Sequence, residues 1–321
     1  MLSLEQIIQS TTRALVIGVG GGGDVVGALA AARFLEFHGV EFVLGGLSWE
    51  CPLVDPLPGP RTANEVRHVR LLHQYAWLVN PKSQTETGVL FTESQVSEII
   101  GRDVLMIDIS GGVKGVVEAL TIALTELQVD LLVGVDVGGD SLATGYEKGL
   151  YSPLADSVML AAFTELEESQ RNVLWAVFGY GSDGEMTADE IERSLSLIAK
   201  HEGLFGTWGL TKNVLSELEK IVQNVVTEAS SLPLQCARGA WGIATIRGGK
   251  RKVKLTPLAT LTFFLSPIVL YRTLSRPAQA VRQSSSLDEA NEALNIIGLV
   301  TELDLEREEF ETADRGSTPP N

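Results

Sequence analysis

Between Ala14 and about Lys200, short apolar runs alternate with longer runs in which apolar positions recur every three or four residues. The short runs are Ala14–Val19, Glu41–Gly45, Trp77–Asn80, Val104–Ile109, Leu131–Asp136 and Val173–Phe178. Most are apolar almost throughout, which predicts strands covered on both faces rather than one. The longer runs, Val25–His38, Thr62–Tyr75, Glu93–Ile100, Val113–Gln128, Pro153–Ser169 and Ala188–Lys200, predict amphipathic helices. Thr187 and Glu190 form a capping box for the last of these. The alternation is that of an α/β protein with a doubly wound, mostly parallel, Rossmann-like sheet.

Beyond Gly203 the alternation fails. The pattern there predicts a long helix at Lys212–Ser230, a hairpin at Trp241–Leu255, an apolar helical stretch and a short helix opened by Ser286 and Glu289. The expected layout is a core over 1–202, a helical and hairpin C-terminal elaboration over 203–301, and an acidic tail over 302–321 whose last ten residues are disordered. The longest apolar run, Leu255–Leu270, is interrupted by Pro257 and Pro267 and is shorter than the ~20 residues that span a bilayer. The N-terminal stretch reads as a capped helix, Ser3 with Gln6, and not as a signal peptide.

Charge narrows the partners. Acidic residues outnumber basic ones by 41 to 25, a net charge of -16, so nucleic acid is not an expected partner and a small-molecule ligand is. One basic island, Arg247-Gly-Gly-Lys250-Arg251-Lys252-Val-Lys254, reads as a solvated hairpin tip, with an anion contact as the alternative. Only Cys51 and Cys236 are present, far apart and outside any C-x-x-C spacing, so neither a zinc site nor a disulfide framework is indicated, which fits a reducing cytoplasm. His38, His68, His73 and His201 have no metal-ligand spacing, and no nucleophile elbow or Walker loop is present.

Candidate chemistry lies in loops that follow the predicted strands. Gly18-Val-Gly20-Gly21-Gly22-Gly23-Asp24 satisfies G-x-G-x-x-G and opens a helix, the place where doubly wound folds hold phosphate. Glu50 is late for the acid that closes the second strand of a dinucleotide fold. Asp24 occupies the positive end of the helix dipole itself and competes with an anion unless a cation bridges them. Nucleotide phosphate, a hydroxyl-bearing ligand or metal on Asp24, and a purely structural turn all remain open. A second loop, Asp108-Ile-Ser110-Gly111-Gly112, places an acid where it can ligate a metal or ribose, or simply cap a helix. The third, Asp136-Val-Gly138-Gly139-Asp140-Ser141, is the most informative: two carboxylates four residues apart repel unless a cation, a proton or a hydroxyl lies between them. That loop loosely resembles the aspartate-rich calcium loop of nucleoside hydrolases, without its paired aspartates. Asp156, in the first turn after Ser152-Pro153, is a further candidate acid, and Arg61 is a candidate for a substrate anion or an ion-pair partner.

Taken together, Gly20–Asp24, Gly138–Ser141 and Ser152–Asp156 resemble a mainly archaeal family catalogued as domain of unknown function 1152, over Ala14 to Val300. The resemblance implies a Rossmann-like architecture and no activity. From the residues alone, the expected function is an enzyme acting on a nucleotide, nucleoside or sugar-type metabolite by hydrolysis or group transfer. In this reading Asp108, Asp136 and Asp140 are catalytic, and Asp136 and Asp140 hold Mg²⁺ or another hard divalent cation. The alternatives are a dinucleotide-dependent oxidoreductase using NAD or flavin and a non-catalytic ligand sensor, and a homo-oligomer is compatible with each.

Overall fold

The structure is a computed structural model that describes residues 2–317. Thirteen strands follow in chain order: β1 (Arg13–Gly18), β2 (Glu41–Leu47), β3 (Val66–Arg67), β4 (Arg70–His73), β5 (Ala76–Val79), β6 (Gln84–Thr85), β7 (Val104–Ile107), β8 (Leu131–Val137), β9 (Val173–Phe178), β10 (Leu204–Gly209), β11 (Gly242–Ile246), β12 (Arg251–Leu255) and β13 (Leu261–Leu265). Nine of them form one sheet in the order β10-β13-β9-β8-β1-β2-β7-β5-β4. The five central strands, β9, β8, β1, β2 and β7, run parallel, whereas β13 and β5 join antiparallel on either side. Numbered by their own order in the chain, the parallel strands read 3-2-1-4-5 from β7 to β9. That is a Rossmann-like winding, and its order reverses between β1 and β8.

The sheet explains the apolar runs. In β1, Leu15 and Ile17 face one core while Ala14 and Val16 face the other. In β9, Val173, Trp175 and Val177 alternate in the same way with Leu174, Ala176 and Phe178. With a side-chain period of two and helices on both faces, nearly every position of the central strands is buried and alternation disappears from their sequence. Asp24–Phe37 covers one face and Gly112–Glu126 with Pro153–Glu168 the other. Gly27 lets the first of these helices approach β8, because a Cβ there would lie 2.4 Å from Val137 Cγ2.

Four expectations change. Thr62–Tyr75 is a 3-10 turn, Ala63–Glu65, followed by β3 and β4. Its threefold spacing of Val66, Val69 and Leu72 mimicked a helix, but β4 instead pairs with β5 at the sheet edge. Lys212–Ser230 is shorter, Lys212–Val222, and a separate helix follows at Ser231–Ala237. The apolar stretch near Leu261 is strand β13, bounded by Pro257 and Pro267, and then a helix, Pro267–Thr273. Finally, Glu302–Ser317 is helical where a tail was expected, and the last four residues of the expected disordered segment lie outside the described residues. No helix among the described residues is long and apolar enough to cross a membrane.

Candidate functional site

At the carboxyl ends of β1 and β8, where the strand order reverses, the sheet opens into a cavity of about 670 Å³. That is ample for a nucleotide or sugar phosphate. Its walls come from the Gly20–Gly22 loop, the segment after β2 at Trp49–Leu53, the loops after β8 and β9, the β11–β12 hairpin and the helix Glu302–Ser317. The C-terminal helix is stitched over the opening by two of its acids. Glu302 accepts from the amides of Leu154 (3.0 Å) and Ala155 (2.8 Å), and Glu306 accepts from Trp49 Nε1 (3.0 Å) and the Gly59 amide (2.9 Å).

The floor is built from carboxylates. Asp136, 1% exposed in β8, accepts from the amides of Gly139 and Ser141 (both 3.1 Å) and from the Ser141 hydroxyl, which in turn receives Trp175 Nε1 at 3.0 Å. Burial pushes its carboxyl up to about 6 against the pull of these donors. Asp140 opens the turn that follows, and burial together with Asp156, Glu185 and Asp136 holds it well above the carboxylate range. Asp183, in the loop after β9, accepts from the Glu185 amide through Oδ1 (2.9 Å), while its buried Oδ2 has no partner among the described residues. Burial and then Glu185 push Asp183 up to about 8. Asp136, Asp140 and Asp183 each offer an oxygen within 4.8 Å of the others. Gly138 makes room for this, since a Cβ there would lie 2.1 Å from Asp183 Oδ2.

Two further acids flank the triad. Asp24 accepts from the amides of Gly20 (3.0 Å) and Val137 (3.3 Å), tying the β1 loop to the end of β8, and burial followed by Asp136 raises it well above the usual range. Asp156 lies in the first turn of its helix with Oδ1 buried and unpartnered, and is raised strongly by burial and then by Asp136. No lysine or arginine neutralises Asp136, Asp140 or Asp156 by an ion pair among the described residues. The nearest compensation is indirect: Arg251 Nη1 pairs with Glu185 at 2.7 Å.

A family model described as a protein of unknown function (DUF1152) matches residues 15–310. The chain belongs to the DUF1152 family. No curated protein matches it. For this DUF1152 chain, family membership names no activity and leaves the chemistry to the site.

The structure brings together Gly20, Gly21, Gly22, Asp24, Glu50, Asp140 and Asp156 around the cavity, with Asp136, Gly138, Gly139 and Ser141 directly beneath it. Gly23 is packed under Thr227 and serves the turn. Asp108, Ser110, Gly111 and Gly112 do not line the cavity. They sit at the end of β7, with β2 between them and β1, so the catalytic role expected of Asp108 is not supported by its position. Asp108 Oδ1 accepts from the Ser110 amide (2.7 Å), Ser110 O accepts from Leu287 N (2.9 Å), and Gly112 is pressed against Ser284 and Ser286. Burial raises the Asp108 carboxyl to about 6, but its surroundings are those of a docking contact for the C-terminal region.

Arg61 is a second correction. The residue is 7% exposed and its guanidinium is fully engaged, with Asp55 at 2.8 Å, Glu65 at 3.5 Å and the carbonyls of Leu57, Pro58 and Gly59, so it braces a loop and is not free for a substrate anion. Asp183, Glu185, Glu302 and Glu306 are additions. Asp183 had a readable signal, a strand followed by Gly179-Tyr-Gly181-Ser-Asp183-Gly184, whereas the two C-terminal acids reach the site only through tertiary packing. Glu50 turns one oxygen to the Thr92 amide (2.5 Å), and behind it lies a buried acid that sequence reasoning missed, Glu93.

Proposed function

We propose that this protein is a metal-dependent enzyme that hydrolyses, or transfers a group from, a nucleotide, nucleoside or sugar-type metabolite. The supporting observation is the triad Asp136, Asp140 and Asp183, three oxygens within 4.8 Å of one another under a cavity at the switch point, with no cationic side chain between them among the described residues. Hard divalent cations such as Mg²⁺ select such all-oxygen donor sets, and the orphaned Asp183 Oδ2 is a ligand atom with no partner among the described residues. A cation held there would polarise a substrate oxygen or lower the pKa of a bound water. The chain's own contribution is positional. Backbone amides and Ser141 fix Asp136, the Asp24 carboxylate ties the two loops together, and Asp156 faces the cavity with a free oxygen that can take or give a proton.

The strand order also favours a second reading, a dinucleotide-dependent oxidoreductase, which copurifying NAD or flavin absorbance would reveal. Against it, the Gly20 amide is held by Asp24 and the Gly22 amide by Trp49 O (2.8 Å), which removes two donors a pyrophosphate would use. The test is to incubate the protein with Mg²⁺ or Mn²⁺ and panels of nucleotides, nucleosides and sugar phosphates, following products chromatographically. Metal-dependent turnover by the wild type, lost in Asp140→Asn, supports the proposal. Turnover unchanged by chelator or by that substitution refutes it.

A further inference from the structure

The cavity has walls of opposite charge. Besides the carboxylate floor, the cavity is lined by the tip of the β11–β12 hairpin, which packs on the β9 loop and contributes Arg247, Lys250 and Arg251. The three are not equivalent. Arg251 is committed: it pairs with Glu185, donates to Asp183 O (3.2 Å) and lies over the Tyr151 ring at 5.2 Å. The Arg247 guanidinium is exposed and only 3.9 Å from Glu228, a loose contact. The ammonium of Lys250 is exposed and has no hydrogen bond or ion pair among the described residues, although Glu228 and Glu309 also line the cavity.

In a doubly wound sheet the usual seat for an anion is the glycine loop after the first strand. Here that seat is compromised, because Asp24 and Trp49 O hold two of its amides and the Asp24 and Asp156 carboxylates crowd Gly20. An anion entering this cavity finds two amides of the glycine loop already engaged and two buried acids crowding it, whereas the hairpin offers it cations. A neutral sugar or nucleoside would have no use for an unpaired Lys250 and a loosely paired Arg247 on the cavity wall of a chain of net charge -16.

We infer that the substrate is phosphorylated and that the hairpin, not the glycine loop, holds its phosphate, with Lys250 and Arg247 as the anion ligands. Sugar phosphates and nucleotides are the class that fits, with hydroxyls toward the acidic floor and the phosphate at the rim. The inference rests on reading the cavity as a substrate site, but its anion contacts are separable from the metal. Arg251 is a positioning residue that fixes Glu185 and the hairpin to the β9 loop.

The probe is inorganic pyrophosphate, titrated calorimetrically into the full chain at low salt, once in EDTA and once with Mg²⁺. Expected are binding in both conditions, weakening as salt is raised, and a loss of tenfold or more in the double variant Lys250→Ala, Arg247→Ala. Both side chains are exposed, so the fold of the variant is checked by its unaltered thermal midpoint. No binding of pyrophosphate, or equal binding by the variant, overturns the inference. If pyrophosphate binding depends on the hairpin but Mg²⁺ and Mn²⁺ have no effect on the wild type, this inference stands and the metal reading falls.

Discussion

Replacing Asp183 by asparagine should make the metal-free protein more stable and at the same time blind to metal. Asp183 is 7% exposed, its Oδ1 accepts from Glu185 N, and its Oδ2 is unpartnered against Asp136 and Asp140. Asparagine keeps the Oδ1 contact and puts an NH₂ where the unpartnered oxygen stood, so it can donate to the neighbouring carboxylates. The carboxyl titrates at about 8 in the folded protein against an ordinary value of 3.8. A raised pKa means that the folded chain holds this proton more tightly than the unfolded one. The associated stability is present below pH ~4 and is lost progressively as the pH rises to about 8. At about 1.4 kcal/mol per unit the loss is at most about 6 kcal/mol, and relaxation of the surrounding groups reduces it to roughly 3. With an unfolding entropy of about 2 cal/mol/K per residue over 321 residues, that raises the midpoint by roughly 4 °C at pH 8 and by almost nothing at pH 4. Differential scanning calorimetry of both proteins in EDTA, and again with Mn²⁺, measures it. A variant destabilised at pH 8, or one that Mn²⁺ stabilises as strongly as the wild type, would refute the reasoning.

Three other outcomes follow from the same geometry. Gly138→Ala places a Cβ 2.1 Å from Asp183 Oδ2 at a residue with φ of 134°, so it should cost roughly 2–4 kcal/mol in a denaturant titration and also abolish the Mn²⁺ response. Divalent affinity, measured calorimetrically, should rise between pH 6 and pH 8.5, because Asp136 and Asp183 titrate at about 6 and about 8 and must release protons to bind; a flat profile contradicts the donor set. Arg61→Ala leaves Asp55 buried without its partner and should lose about 3–5 kcal/mol of stability, yet pyrophosphate affinity should stay within twofold of the wild type if Arg61 only braces its loop.

The central sheet was legible because strands covered on both faces carry a signal no other element shares, as Leu131–Val137 shows. Its antiparallel margins were not. β4 is an edge strand with Arg70 and Leu71 exposed, and β13 is five residues between prolines, so neither has enough length for a period to declare itself. In the site, Asp24, Asp136, Asp140 and Asp156 could be found because each lies at a strand end or opens a helix close to glycine or proline. Asp108 obeys the same rule and is not in the cavity, since local sequence says that a loop ends a strand but not how far that strand lies from the switch point. Arg61 failed for a related reason. Its partner Asp55 is six residues away, and nothing in the residue types shows whether a guanidinium turns inward to its own loop or outward to a ligand. The hairpin cations and Glu302 depend on chain reversals that bring distant segments over the sheet.

Whether a divalent cation occupies the Asp136, Asp140 and Asp183 cluster decides most of this account. Crystals grown with Mn²⁺ and measured at a wavelength suited to its anomalous signal should give one strong peak, within coordinating distance of all three carboxylates, that disappears in Asp140→Asn. No peak at that place in the wild type, with density instead for a water or for an amine-bearing ligand between the carboxylates, would contradict the metal-dependent reading.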